Sequence, residues 1–492
     1  MNKVRLTMTQ TGSTSLNTAR TASKTSPGKS TSSKQTTNTR AENLYQATRS
    51  HILRDGLQLV LDPIRSHGAT IINALNGRDY INFHGGYRSN ALGENHPGFT
   101  AQDYENIARA TINKQAHAHI YTPDQLQAIN TIAQRYMQPA GFERAFFIDG
   151  GALALENALK IALRNHALNR QTENSDTLQT DALQDGVIIG MHGAFHGHSG
   201  LTMTLSRSDP SKAEFMPRLP WPAVPTPYQE RDVSACVYAL EKQLAEYAPR
   251  VAGLVIEPIQ CEGGDRFIPK SYFVALRRLA DAHHFSLIYD ETQTGFFVTG
   301  RAFAFQALNL PAPDLICGAK KSSIGYVFAN HRVLAVPHNA FEVSGKINST
   351  WGGHGGDYLV CARKLELIEQ YKLAEHAQRQ GRKLLEKLAN LSAHYPSLIV
   401  APRGLGLLIA IDCPSGEIRD RLIAECFKQR LLLLTGGVPK AGPFTVRFGP
   451  PLSVTDDEVE TGMARFEKAL CELRNALRPP GSKCHPPLIT NE

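Results

Sequence analysis

Ser286-Leu287-Ile288-Tyr289-Asp290-Glu291-Thr292-Gln293-Thr294-Gly295 and, further on, Asp314-Leu315-Ile316-Cys317-Gly318-Ala319-Lys320-Lys321-Ser322-Ser323 share one form: a short apolar run that ends in charged and small residues. Each run is too short for a helix and reads as a buried strand. The same form recurs upstream at Ala145–Ile148, Val187–Ile189 and Gly253–Ile256. Between these runs lie segments with apolar residues at helical spacing, such as Leu155, Leu159, Ala162 and Leu163, or Phe273, Leu276 and Ala280. Strands alternating with helices predict an α/β fold with a mostly parallel sheet. After Trp351 the pattern changes. A long helical stretch runs from Tyr358 through Glu369 toward Leu391, followed by a strand at Leu405–Asp412, a helix and a strand at Thr445–Phe448. That predicts a second, smaller α/β domain.

The bulk properties narrow the class. A chain of 492 residues can hold two or more domains. No apolar run approaches the roughly 18 residues of a membrane span. The net charge of +8 is concentrated in residues 1–41, which hold Lys3, Arg5, Arg20, Lys24, Lys29, Lys34 and Arg40 and no acidic residue. The basic balance is therefore no sign of a nucleic-acid partner. Residues 1–42 are rich in Ser and Thr and poor in large apolar residues, so a disordered extension is expected. The extension is basic like an organelle transit peptide, but it lacks a clear amphipathic helix and an apolar signal core, and a cytoplasmic location is expected. Residues 43–95 are expected to pack with the smaller domain. Residues 96–355 are expected to form the large domain, 356–478 the small one, and 479–492 a loose tail. The eight cysteines, at 236, 261, 317, 361, 413, 426, 471 and 484, form no CxxC pair and read as free thiols.

The chemistry-bearing residues fall at strand ends, where ligands of parallel sheets bind. A strand-end aspartate, Asp290, and a strand-end lysine, Lys320, are what pyridoxal phosphate chemistry needs. The lysine forms a Schiff base with the cofactor aldehyde, and the carboxylate keeps the pyridine nitrogen protonated. Asp149-Gly150-Gly151-Ala152 opens a helix, where bare amides suit a phosphate; a plain tight turn would read the same. Gly190-Met191-His192-Gly193-Ala194-Phe195-His196-Gly197-His198-Ser199-Gly200 offers glycines for close approach and Phe195 for stacking on a flat ring. No Cys, Asp or Glu joins its histidines at ligand spacing, which argues against a metal. Arg447 lies in an apolar strand and needs an anionic partner, either protein or substrate.

Taken together and in order, these motifs resemble the class III (fold type I) pyridoxal-phosphate aminotransferases from about residue 55 to 470. Within that class they most resemble L-lysine 6-aminotransferase, also called lysine ε-aminotransferase. Gly151 through Lys160, Gly193 through Gly197, Glu257 through Asp265, Asp290 through Gly295, Asn348-Ser349-Thr350-Trp351-Gly352-Gly353 and Val446-Arg447-Phe448 carry the resemblance. It implies a large domain built on a seven-stranded type of sheet and a homodimer with shared sites. It implies that Lys320 carries the cofactor, with Lys321 as the fallback. Asp290 matches the partner of the ring nitrogen, Gln293 the residue near the phenolic oxygen and the substrate, and Gly151 and Ala152 the phosphate cradle. Phe195 matches the stacking ring, and Thr350 the residue that reaches the other subunit's cofactor. Arg447 matches the substrate-carboxylate arginine, and Glu262 the carboxylate that gates it. The implied reaction moves the ε-amine of L-lysine to 2-oxoglutarate, giving 2-aminoadipate 6-semialdehyde and L-glutamate.

Two positions depart from that pattern. The lysine enzymes resemble Phe-His-Gly-Arg at the stacking loop, and the arginine that helps hold the α-carboxylate is here His198. Their Arg-Phe-Arg-Pro-Pro reads Arg447-Phe448-Gly449-Pro450-Pro451. Another ω-amine donor (ornithine, diaminobutyrate or 4-aminobutyrate) stays open, as do a turnover-deficient binding protein and a racemase or aminomutase.

Overall fold

The computed structural model describes residues 42–53, 56–114, 120–173, 185–438 and 442–477. The disordered extension expected over 1–42 and the tail expected over 479–492 lie outside them, apart from Glu42. The chain divides into a unit of Met1–Val60 with Ala74–Asn76 and a unit of Leu61–Asn73 with Gly77–Glu492. In the first, residues 42–47 are helical and Thr48–Ser50 form a 3-10 turn. The second unit carries everything that follows.

Its centre is a seven-stranded sheet. The spatial order is Arg144–Ile148, Gly325–Ala329, Leu315–Gly318, Ser286–Asp290, Val251–Ile256, Val187–Met191 and Ala223–Val224. Gly325–Ala329 is antiparallel to both neighbours, and the other strands run parallel to one another. Every residue of Val251–Ile256 and of Gly325–Ala329 is buried. That explains their uninterrupted apolar character, since a sheet covered on both faces has no solvent side to alternate with. The helix Gly151–Glu173 buries Ala154, Leu155, Ala158, Leu159 and Ala162.

A four-stranded antiparallel sheet follows in the order Val400–Leu405, Leu408–Cys413, Gly442–Phe448, Leu434–Val438. The strand expected over Leu405–Asp412 is Leu408–Cys413, and it forms a hairpin with a preceding strand, Val400–Leu405, that was not expected. The chain reverses at Gly406, whose φ of 59° and approach to the carbonyl of Val298 leave no room for a Cβ. The long helix expected from Tyr358 is two helices, Gly355–Gln370 and Leu373–His394, parted at the left-handed Lys372. A small sheet joins Thr70–Ile72 and Asp79–Asn82 to Leu431–Leu432. Cys236, Cys261, Cys317, Cys361, Cys413 and Cys426 are buried free thiols, and Cys484 lies outside the described residues. Among the described residues no helix is long and apolar enough to cross a membrane.

Candidate active site

The parallel strands end on one edge, and there the loops enclose a cavity of about 260 Å³. Gly151, Ala152, Phe195, Asp290, Gln293 and Lys320 all line it. Six of the residues singled out from sequence therefore meet in one place.

Asp290 ends its strand only 4% exposed. Its Oδ1 accepts from the amide and hydroxyl of Thr292 at 3.0 and 2.6 Å, and its Oδ2 lies 2.8 Å from Nδ1 of His196. Burial disfavours charge on His196, but the bond to Asp290 and its charge outweigh it and raise the imidazole pKa. A buried carboxylate held by these donors is fixed in place, facing the cavity. Glu257, at the end of the next strand, accepts from the amides of Phe195 (3.0 Å) and Cys261 (3.1 Å). It thereby ties two loops of the site together. Burial pushes its pKa up to about 7, against the pull of His196.

Lys320 follows Leu315–Gly318 and has a left-handed backbone, φ 57°. Its Nζ donates to the Tyr87 carbonyl at 2.7 Å. Burial, then the charge of Arg447, lowers its pKa to about 8, so a usable fraction is neutral amine near neutrality. Lys321 points elsewhere. It is 2% exposed and donates to the carbonyls of Arg88 (3.0 Å) and Gln293 (3.3 Å). Burial, followed by Arg88, lowers its pKa to about 7. Lys321 does not line the cavity.

Arg447 is 1% exposed in Gly442–Phe448. Its Nε donates to the Thr435 carbonyl (2.9 Å), and Nη1 to the carbonyl of Cys261 (3.0 Å) and Oε1 of Gln293 (3.3 Å). Its Nη2 donates to Glu262 at 2.7 Å. The anionic partner that the sequence demanded is thus a protein carboxylate. Burial favours the neutral acid of Glu262, but Arg447 and then Lys212 draw its pKa down to about 2.

Neither Arg447 nor Glu262 lines the cavity, which Arg447 adjoins through Gln293 and Cys261, and two further predicted residues stand apart from this network. His198 is exposed and meets Phe195 ring edge to face, with centroids 5.2 Å apart. Thr350 is exposed and does not line this chain's cavity.

The sequence reading missed Arg88. It is fully buried, forms a double hydrogen bond with Asp265 at 2.7 and 2.5 Å, and donates to the carbonyls of Ile409 and Phe448. This pair anchors a turn in which Gly85, Gly86, Tyr87 and Arg88 are all left-handed. Such a conformation costs roughly 1–3 kcal/mol at each non-glycine residue and persists only where the surroundings impose it. The turn places the Tyr87 carbonyl on Lys320. The adjacent Gly85-Gly86 was the one available signal. Gly449, read as a lost cation, has a steric reason: a Cβ there would lie 2.5 Å from Cγ of Arg88.

The site fits pyridoxal phosphate by its donor set. The Gly151 end of the helix opens on the cavity as an anion seat. A Cβ at Gly197 would strike that of Ala152 at 2.6 Å, so the cradle is only as wide as glycine allows. Phe195 supplies a flat wall, Asp290 an anion and Lys320 an amine.

The comparisons place the chain by ancestry. The family model of class-III aminotransferases matches residues 53–470, and the chain belongs to that family. Its members depend on pyridoxal phosphate, and this chain is an aminotransferase of the same kind. An L-lysine-epsilon aminotransferase of Mycobacterium tuberculosis is 35% identical over 444 residues, covering 88% of this chain and 96% of that one. A solved lysine aminotransferase from M. tuberculosis superimposes with a TM-score of 0.82 at 34% identity, covering 88% of this chain and 99% of that one. An acetylornithine aminotransferase of Caulobacter vibrioides is 30% identical, covering 84% of this chain and 93% of that one.

Proposed function

We propose that this enzyme transfers the ε-amine of L-lysine to 2-oxoglutarate, giving 2-aminoadipate 6-semialdehyde and L-glutamate. The observation that carries this reading is the ion pair of Glu262 with the buried Arg447. A donor that presents a terminal amine has no carboxylate beside the reacting carbon, so Arg447 must be neutralised by the protein while that donor is bound. An acceptor that presents a 2-oxo acid has one, so Arg447 must then be released. A single mobile glutamate meets both demands. The names of the relatives support lysine as donor.

The residues divide the work as follows. Gly151 and Ala152 would hold the cofactor phosphate, Phe195 would cover its ring, and Asp290, oriented by His196 and Thr292, would keep its ring nitrogen protonated. The bound cofactor supplies an electron sink for a proton lost from the amine-bearing carbon. Lys320 Nζ would take that proton and deliver it to the cofactor carbon that carried the aldehyde, not back to the substrate, and Gln293, bonded to Arg447, would orient the substrate. Glu262 leaves Arg447 when the acceptor arrives. The same reading takes residues 96–355 as the cofactor domain and 356–478 as the smaller one, supported by their separate sheets. It takes the enzyme as a cytoplasmic homodimer in which the exposed Thr350 serves the cofactor of the other copy.

Single-turnover absorbance of the holoenzyme with L-lysine and no acceptor tests the donor. Loss of the cofactor's visible band, restored by 2-oxoglutarate, is expected. A band stable to lysine but bleached by ornithine or 4-aminobutyrate would move the donor, and near-normal turnover in Lys320→Ala would overturn the role given to Lys320.

A further inference from the structure

Glu262 has a second cation. Its Oε1 accepts from Nζ of Lys212 at 2.9 Å, while its Oε2 accepts from Arg447 at 2.7 Å. One carboxylate thus bridges two positive charges. The two cations differ in freedom. Arg447 is 1% exposed and fixed by Thr435, Cys261 and Gln293. Lys212 lies on the short turn Pro210–Ala213 and is 28% exposed. Its ammonium is held by Glu262 and by the face of Phe195, 4.6 Å from the ring centroid. Phe195 is a wall of the cavity. Lys212 therefore lies beside a wall of the cavity with a partly exposed, adjustable charge, and its three N–H donors are more than Glu262 alone can use.

We propose that Lys212 recognises the substrate carboxylate farthest from the reacting carbon. Resting on the function proposed above, this assigns it the α-carboxylate of lysine in one half-reaction and the 5-carboxylate of 2-oxoglutarate in the other. The charge count supports the assignment. The donor brings one carboxylate, which Lys212 takes while Glu262 stays on Arg447. The acceptor brings two carboxylates for two cations: Lys212 takes the distal one, Arg447 the proximal one, and Glu262 is displaced. Lys212 then keeps one task throughout, and only Arg447 changes partner. His198 meets the Phe195 ring edge to face, whereas the Lys212 ammonium lies over that ring, 4.6 Å from its centroid.

The test uses holoenzymes of the wild type, Lys212→Met, Lys212→Arg, Glu262→Gln and the Glu262→Gln/Lys212→Met double variant. Cadaverine is lysine without its carboxylate, and glutarate and butyrate are unreactive acids with and without a distal carboxylate. In Lys212→Met the KM for lysine and the inhibition constant of glutarate should rise roughly ten- to a hundredfold, the effect of removing one charge-assisted contact. The half-reaction with cadaverine in the absence of acceptor, butyrate inhibition and the cofactor absorbance should not change, and Lys212→Arg should restore most of the loss. Unchanged constants for lysine and glutarate would overturn the proposal, as would an equal loss for cadaverine and butyrate. If Lys212 acts only by holding Glu262, Glu262→Gln and the double variant would bind glutarate alike, which also overturns it. A wild type that binds glutarate tightly but ignores lysine refutes the lysine reading, and the glutarate comparison still decides the role of Lys212.

Discussion

Asp265→Asn is the sharpest test of how the site is held. Asp265 and Arg88 are 0% and 1% exposed, and their double hydrogen bond spans 177 positions of sequence. The substitution keeps the volume and removes the charge. Arg88 is then left buried without a counter-charge, its acceptors reduced to one amide oxygen at position 265 and the carbonyls of Ile409 and Phe448. The nearby Arg447, whose Nη1 is 3.9 Å from Asp265, loses a compensating charge as well. Breaking a buried pair from one side costs about 3–5 kcal/mol, because the surviving ion stays desolvated without a counter-charge. The upper half of that range is expected here, since two arginines are affected. Urea denaturation followed by circular dichroism measures the loss as the midpoint shift times the m-value. The Arg88→Met/Asp265→Leu double variant should recover part of it, because no charge is stranded. A loss below about 1 kcal/mol in Asp265→Asn, or double-variant costs that simply add, would refute the view that this pair holds the left-handed turn beside Lys320.

Gly449→Ala should push Arg88 out of place and destabilise by roughly 1–3 kcal/mol, the usual cost of overpacking, measured in the same denaturation experiment. In the cofactor-free protein, acylation of Lys320 tracked by peptide mass spectrometry should be half-maximal near pH 8; a midpoint above pH 10 would refute the depressed pKa. Glu262 is held near 2 in the folded chain against an ordinary 4.5, so it binds fewer protons folded than unfolded in that window. Its stabilisation is full above pH 4.5 and lost as the pH falls toward 2, so the stability difference between wild type and Glu262→Gln should close over that range.

The strand ends were legible because burial on both faces writes parallel strands as continuous apolar runs, and the residue after each run is fixed at the sheet's edge. That logic picks out Gly151, Phe195, Asp290 and Lys320 from the sequence alone. It also demanded a partner for Arg447, because an apolar strand cannot hold a lone cation. The strand Gly325–Ala329 was passed over although its run is of the same continuous apolar kind, and its antiparallel direction leaves no mark in the sequence. Nor could the sequence choose between Lys320 and Lys321 on chemistry, as both carry the same amine. Only the left-handed backbone at Lys320 and the carbonyls that capture Lys321 separate them. Arg88 with Asp265, and Lys212 with Glu262, were equally invisible, because charge pairing between distant loops leaves no local pattern. The sequence by itself determined which groups of this protein can do chemistry; the tertiary structure decided which of them face one another, because ion pairs act through a few ångströms of space and not through positions along the chain.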